Sequence, residues 1–140
     1  MSKKKFHQQE RGQSFAEFSI SLVILLILVA GVVDLGRAFF PYIALRDAAQ
    51  EAALYGSINP TETTAIQNRG LAVLSNRIDT STVTITPVTT GACNNSANNI
   101  EVTVQYSNFV ITTPFLGTLV GSQTFDISAS VVDTILSPPC

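Results

Sequence analysis

The hydrophobic positions of this chain change their spacing twice, and each change marks a different kind of element. From Phe15 to Val33 nearly every position is apolar, interrupted only by Glu17, Ser19, Ser21 and Gly31. These 19 residues make about 28 Å of helix, close to the ~30 Å hydrocarbon core of a bilayer. Asp34 and Arg37 end the run, and their i, i+3 spacing allows an interfacial ion pair. Over residues 42–55 (YIALRDAAQEAALY) the spacing becomes helical, with Ile43, Ala44, Ala48, Ala52 and Tyr55 along one stripe. Gly56 is the expected stop. Pro41 is expected to bend the helix, because proline removes one backbone bond and clashes with the preceding turn.

A second helix is expected next, with Asn59 as cap, Pro60 at the first helical position and Glu62 three residues after the cap. Its apolar face would hold Ala65, Ile66, Val73, Leu74 and Ile78, although Gly70 weakens the helix. From residue 82 the period falls to two. Val83 and Ile85 alternate with threonines; Ile100, Val102, Val104 and Tyr106 alternate with Glu101, Thr103 and Gln105. Phe125, Ile127, Ala129 and Val131 alternate with polar residues in the same way. Each alternation predicts a half-buried strand. A polar loop (residues 89–99) and a short apolar segment, Pro114 to Val120, separate the strands. The expected fold class is α+β: a long N-terminal hydrophobic helix, a second helix and a small antiparallel sheet.

Charge sharpens this picture. Residues 1–12 hold Lys3, Lys4, Lys5 and Arg11 against Glu10; residues 13–140 hold four arginines against nine acids. A basic tail before an apolar span fits a cytoplasmic N-terminus and a single membrane crossing. Nucleic acid is not an expected partner, since it needs a basic face on the folded part. A cleaved secretory signal fits poorly, because such apolar cores run about 7–15 residues and end in small residues. His7 is the only histidine and lies in the tail, so neither a histidine triad nor a zinc cluster is expected in the head. There is no phosphate-binding glycine loop and no cofactor is expected. The acids of the head are scattered; Glu101 and Asp126 fall on the polar sides of strands and read as solvated side chains, and Asn94-Asn95-Ser96 meets a short glycosylation pattern.

Glu17 needs its own account, since a charge at a bilayer centre costs roughly 3 kcal/mol even on lenient scales. It follows Gly12-Gln-Ser-Phe-Ala and precedes Phe18, after a basic leader. Together with DLGRAFFPYIALRDAAQEAALYGS and the C-terminal TPFLGTLVGSQTFDISASVV, this resembles the TadE-like pseudopilins or minor pilins, in the Tad (tight adherence) branch of the type IV pilin superfamily. The family's aromatic after the glutamate is usually Tyr; here it is Phe18.

The resemblance implies a non-enzymatic structural subunit. A membrane prepilin peptidase would cut after Gly12, leaving Gln13 first and Glu17 fifth. The Glu17 carboxylate would then neutralise the terminal amine of a neighbouring subunit, a strong attraction in a low-dielectric site. Glu17 would alternatively snorkel to the inner interface, two residues from the start of the span. An N-terminal glutamine can also cyclise, which would remove the partner charge. The expected divisions are a leader (1–12), a helix (13–56) spanning the membrane at about 15–33, and an α+β head (57–140). The expected partners are the membrane, the prepilin peptidase and other pilin or pseudopilin subunits. The location is the inner membrane with an extracytoplasmic head, then a cell-surface pilus or extracellular filament. An uncleaved single-pass component of the assembly machinery is the alternative. Cys93 and Cys140 would form a disulfide outside the cytoplasm, contributing about 4 kcal/mol in the chain-entropy picture; free thiols or pairing between chains are equally open from the spacing.

Overall fold

The computed structural model describes residues 6–91, 98–112, 117 and 121–136, with side chains from Gly12 onward. Helix α1 (Phe6–Ile58) has 53 residues, about 80 Å of helix. After it come α2 (Thr63–Leu74), a 3₁₀ turn (Thr80–Thr82), and strands β1 (Val83–Thr90), β2 (Asn99–Val110) and β3 (Thr124–Thr134). The strands form one antiparallel sheet in the order β1-β2-β3. Helix, second helix and meander make the fold α+β.

The period-two alternation works as physics requires. Ile85 pairs with Val104, and Val104 with Ala129, so one sheet face collects Ile85, Ile100, Val102, Val104, Ile127 and Ala129, all buried. Val131 is only half-buried, and Gln105, expected to face water, is half-buried as well. The C-terminal half of α1 packs against this face and against α2. Its buried stripe is Ala44, Leu45, Ala48, Ala49, Ala52 and Ala53. Small side chains prevail there because α2 and the sheet both press on the helix. Ile43, expected on the buried stripe, is instead 45% exposed.

Two local expectations fail for identifiable reasons. Gly56 does not stop α1, which continues to Ile58. It is buried, and a Cβ there would run into Ile100 Cδ1 and crowd Ile66 Cδ1 at 3.2 Å. The glycine is a close-approach residue between helix and core. Gly70 in α2 has the same role, since a Cβ would lie 2.6 Å from Ile85 Cδ1.

The capping box at Asn59 and Glu62 does not form. The Asn59 amide instead donates to the Tyr55 carbonyl at 3.0 Å, prolonging the turn of α1. Glu62 takes the cap position without a side-chain bond to the helix, because its carboxylate accepts the Tyr55 hydroxyl at 2.7 Å. Helix α1 is continuous through Pro41. It also begins before Gln13, so the Gly12–Gln13 bond lies inside a helix.

The head is tied to α1 at both ends of the contact. At the top, the Leu136 amide donates to the Ser57 carbonyl at 2.8 Å. Ion pairs join α1 to the α2 region, Asp47 with Arg77 at 2.8 Å and Glu51 with Arg69 at 3.7 Å. All four side chains are about half exposed, so each pair contributes little. At the bottom, the far end of the β2–β3 hairpin reaches down to Asp34. Cys93, Cys140, the Asn94-Asn95-Ser96 pattern and all of the Pro114–Val120 segment except Gly117 lie outside the described residues.

Candidate functional site

The N-terminal half of α1 stands clear of the head. Phe15, Phe18, Ile20 and the following apolar residues through Val33 are exposed. Only 6% of the most apolar 18-residue stretch is buried. By length and composition α1 is the one helix able to cross a membrane among the described residues. The exposed apolar surface does not end with the span: Leu35 is 72% and Phe39 62% exposed, with Phe40, Tyr42 and Ile43 beside them. A monomer in water does not keep so large an apolar face uncovered.

Glu17 lies on this face, exposed, with no hydrogen-bond or ion-pair partner among the described residues. Gln13, one helical turn before it, shares its side of the helix. Ser19 carries no chemistry of its own, since its hydroxyl donates to the Phe15 carbonyl at 2.8 Å within the helix.

Asp34 and Arg37 do come together, at 3.5 Å. Asp34 is 8% exposed, however, and is no mere surface partner. The same oxygen accepts the Thr112 backbone amide at 3.3 Å. This bond spans 78 residues and fastens the β2–β3 hairpin to α1 just past the end of the apolar span. Arg37 is half exposed, and its guanidinium carbon lies 6.0 Å from the centre of the Phe109 ring. Phe109 in turn meets Phe125 edge-on at 5.1 Å.

The hairpin reaches this place through an irregularity that the sequence did not disclose. The register of β2 against β3 shifts between Tyr106 and Phe109, and Asn108 has φ of 63°. Asp126 holds the bulge by accepting the Asn108 amide at 3.1 Å and the Gln105 side-chain amide at 2.9 Å. Glu101, likewise expected to be merely solvated, accepts the Ser130 hydroxyl at 2.6 Å. Bulges re-aim the strand that follows, and here the re-aimed residues are Phe109, Ile111 and Thr112. The residue types offered one clue, since asparagine is among the few that tolerate positive φ.

Other electrostatic features are local. Donation to Glu62 raises the Tyr55 pKa above the usual phenol value. Asp79 is held below the usual carboxylate range, chiefly by the Ser81 amide that it accepts at 2.9 Å. Among the described residues no group of three or more His, Cys, Asp or Glu side chains gathers to hold a metal.

Residues 12–54 match the model of a family described as TadE-like protein. Over that stretch the chain is similar to TadE-like proteins. The matched segment takes in Gly12, Glu17, the whole apolar span, Asp34, Arg37 and the whole buried alanine-rich stripe, Ala44 to Ala53. The strands lie outside it. No protein of curated function and no solved structure matches the chain.

Proposed function

We propose that this TadE-like chain is a non-enzymatic structural subunit of a Tad-type pilus or secretion filament. The observation that carries the reading is the uncovered apolar face of α1, which runs from Phe15 past the end of a bilayer span to Ile43. In the membrane, lipid covers the part up to Val33. In a filament, the same face packs against α1 of neighbouring subunits, and the head forms the outer surface. The prepilin peptidase cuts after Gly12 and makes Gln13 the N-terminus. Glu17 then accepts the charge of a neighbour's terminal amine. While the subunit waits in the membrane, its own amine lies one turn from Glu17, about 6 Å along the axis, and offsets part of the cost of the buried carboxylate.

One observation favours the second reading, an uncleaved anchor of the assembly machinery. Gly12 and Gln13 lie inside a continuous helix, and a peptidase has to unwind that turn to reach the bond. Glycine at the site lowers the cost, being about 1 kcal/mol less favourable in a helix than alanine. Sequencing the N-terminus of protein taken from membranes and from sheared filaments separates the two readings. Cleavage leaves a chain beginning at Gln13, and Gly12→Val leaves the full-length chain in the membrane. An identical mature mass in wild type and Gly12→Val would rule out processing at this bond.

A further inference from the structure

Between α1 and the re-aimed hairpin lies a groove of about 130 Å³. Gly31, Asp34, Leu35 and Ala38 form its helix wall, with the Asp34 carboxylate turned to Arg37 and Thr112; Phe109, Ile111 and Phe125 form the hairpin wall. Its surface is apolar, and its volume is about four water-sized units of ~30 Å³, enough for a few methylene groups. It starts at Gly31, inside the apolar span, and rises past the end of that span. Arg37 stands at the same level, four residues beyond Val33, or about 6 Å along the axis. A headgroup layer occupies about 5–7 Å on each side of the hydrocarbon core. The guanidinium is therefore at phosphate depth when the span sits in the core.

The geometry points to this groove as a binding site for one anionic phospholipid, with part of an acyl chain between the helix and the hairpin and its phosphate on Arg37. The Arg37 side chain is 51% exposed and meets Asp34 only at 3.5 Å. A guanidinium has five N–H donors in a planar fork that suits phosphate oxygens. Asp34 accepts from one guanidinium nitrogen of Arg37 and from the Thr112 amide, so one carboxylate orients both the hairpin wall and the fork, whose remaining N–H groups are left for a phosphate. A second copy of the chain at the same depth would bring another Arg37 to this rim, a like charge. That disfavours a second copy at the same depth as occupant while the chain is in the membrane; in a filament, where subunits are staggered, a neighbour would displace the lipid. The inference rests on the membrane reading of α1 and is independent of cleavage and assembly.

The test reconstitutes the full chain in vesicles of phosphatidylglycerol and phosphatidylcholine in equal amounts. The protein is then extracted and its retained lipid identified by native mass spectrometry. Wild type retains phosphatidylglycerol in preference to phosphatidylcholine. Arg37→Gln loses the preference and Arg37→Lys keeps most of it. Gly31→Leu fills the groove, since a Cβ at Gly31 meets nothing within 4 Å, and sheds both lipids. Arg46→Gln, nine residues further along α1, changes nothing. Equal retention of the two lipids by wild type overturns the site, as does an unchanged preference in Arg37→Gln. A lipid-free dimer that Gly31→Leu abolishes overturns it in favour of a second copy. A chain that never enters the vesicles overturns the membrane reading and the site with it.

Discussion

Replacing Asp34 by alanine removes the only carboxylate that joins the β2–β3 hairpin to α1 among the described contacts. The Thr112 amide loses a charged acceptor at 3.3 Å, and hydrogen bonds to charged groups contribute about 1.5–3 kcal/mol. The pair with Arg37 at 3.5 Å adds little, since the guanidinium is half exposed and such pairs are worth under ~1 kcal/mol. The expected loss is about 2 kcal/mol, borne locally by the hairpin end and not by the alanine seam. Hydrogen exchange on the full chain in detergent reads this directly. The Ile111 amide, which donates to the Gln123 carbonyl at 2.8 Å, reports opening of the hairpin end. A loss of ~2 kcal/mol speeds its exchange about thirtyfold. Amides of Val102 and Val104 in mid-sheet keep their protection. Asp34→Asn falls between, because its carbonyl still accepts from Thr112. Unchanged exchange at Ile111 in Asp34→Ala would refute the latch, and equal acceleration throughout the sheet would refute its local character.

Three other outcomes follow from the packing. Gly56→Val forces two methyl groups toward Ile100 and Ile66 and destabilises by about 1–3 kcal/mol or more in thermal melts; adding Ile100→Ala recovers part of the loss. Val104→Asp, at a fully buried position, costs several kcal/mol through an unpaired buried charge, and wild-type melting of that variant would contradict the sheet assignment. The folded pKa of Asp79 is depressed by the Ser81 amide, so its contribution is present above the unfolded carboxylate value and is lost as pH falls through the folded one; Asp79→Asn flattens that acid limb in pH-dependent melts.

The elements were legible where a single periodicity governs them. The span, the alanine-rich helix and the three strands each obey one spacing rule, and the helix–sheet core is what those rules imply when combined. The failures lie where two elements compete for one residue. Gly56 looked like a stop because glycine breaks isolated helices; Ile100, 44 positions later, is what requires it to lack a side chain. Glu62 looked like a capping partner until Tyr55 took its carboxylate. Asp34 looked like the partner of Arg37 alone, because spacing within a helix is readable and a bond to Thr112 is not. The Asp126 bulge that aims the hairpin likewise depends on strand register, which alternation leaves open by whole steps.

The central claim is that the uncovered face of α1 serves assembly, with Glu17 supplying the charge that a neighbour's amine needs. The most direct test is the ratio of mature subunit in sheared filaments to that in membranes for wild type, Glu17→Gln and Glu17→Val. Insertion and cleavage persist in both variants, since the leader and the Gly12–Gln13 bond are unchanged and an intramembrane charge has been removed. The account predicts that the ratio falls from wild type to Gln to Val, as the incoming amine loses first a full counter-charge and then any acceptor. Equal ratios across all three would mean that Glu17 only reaches for the inner interface, and would contradict its role in assembly.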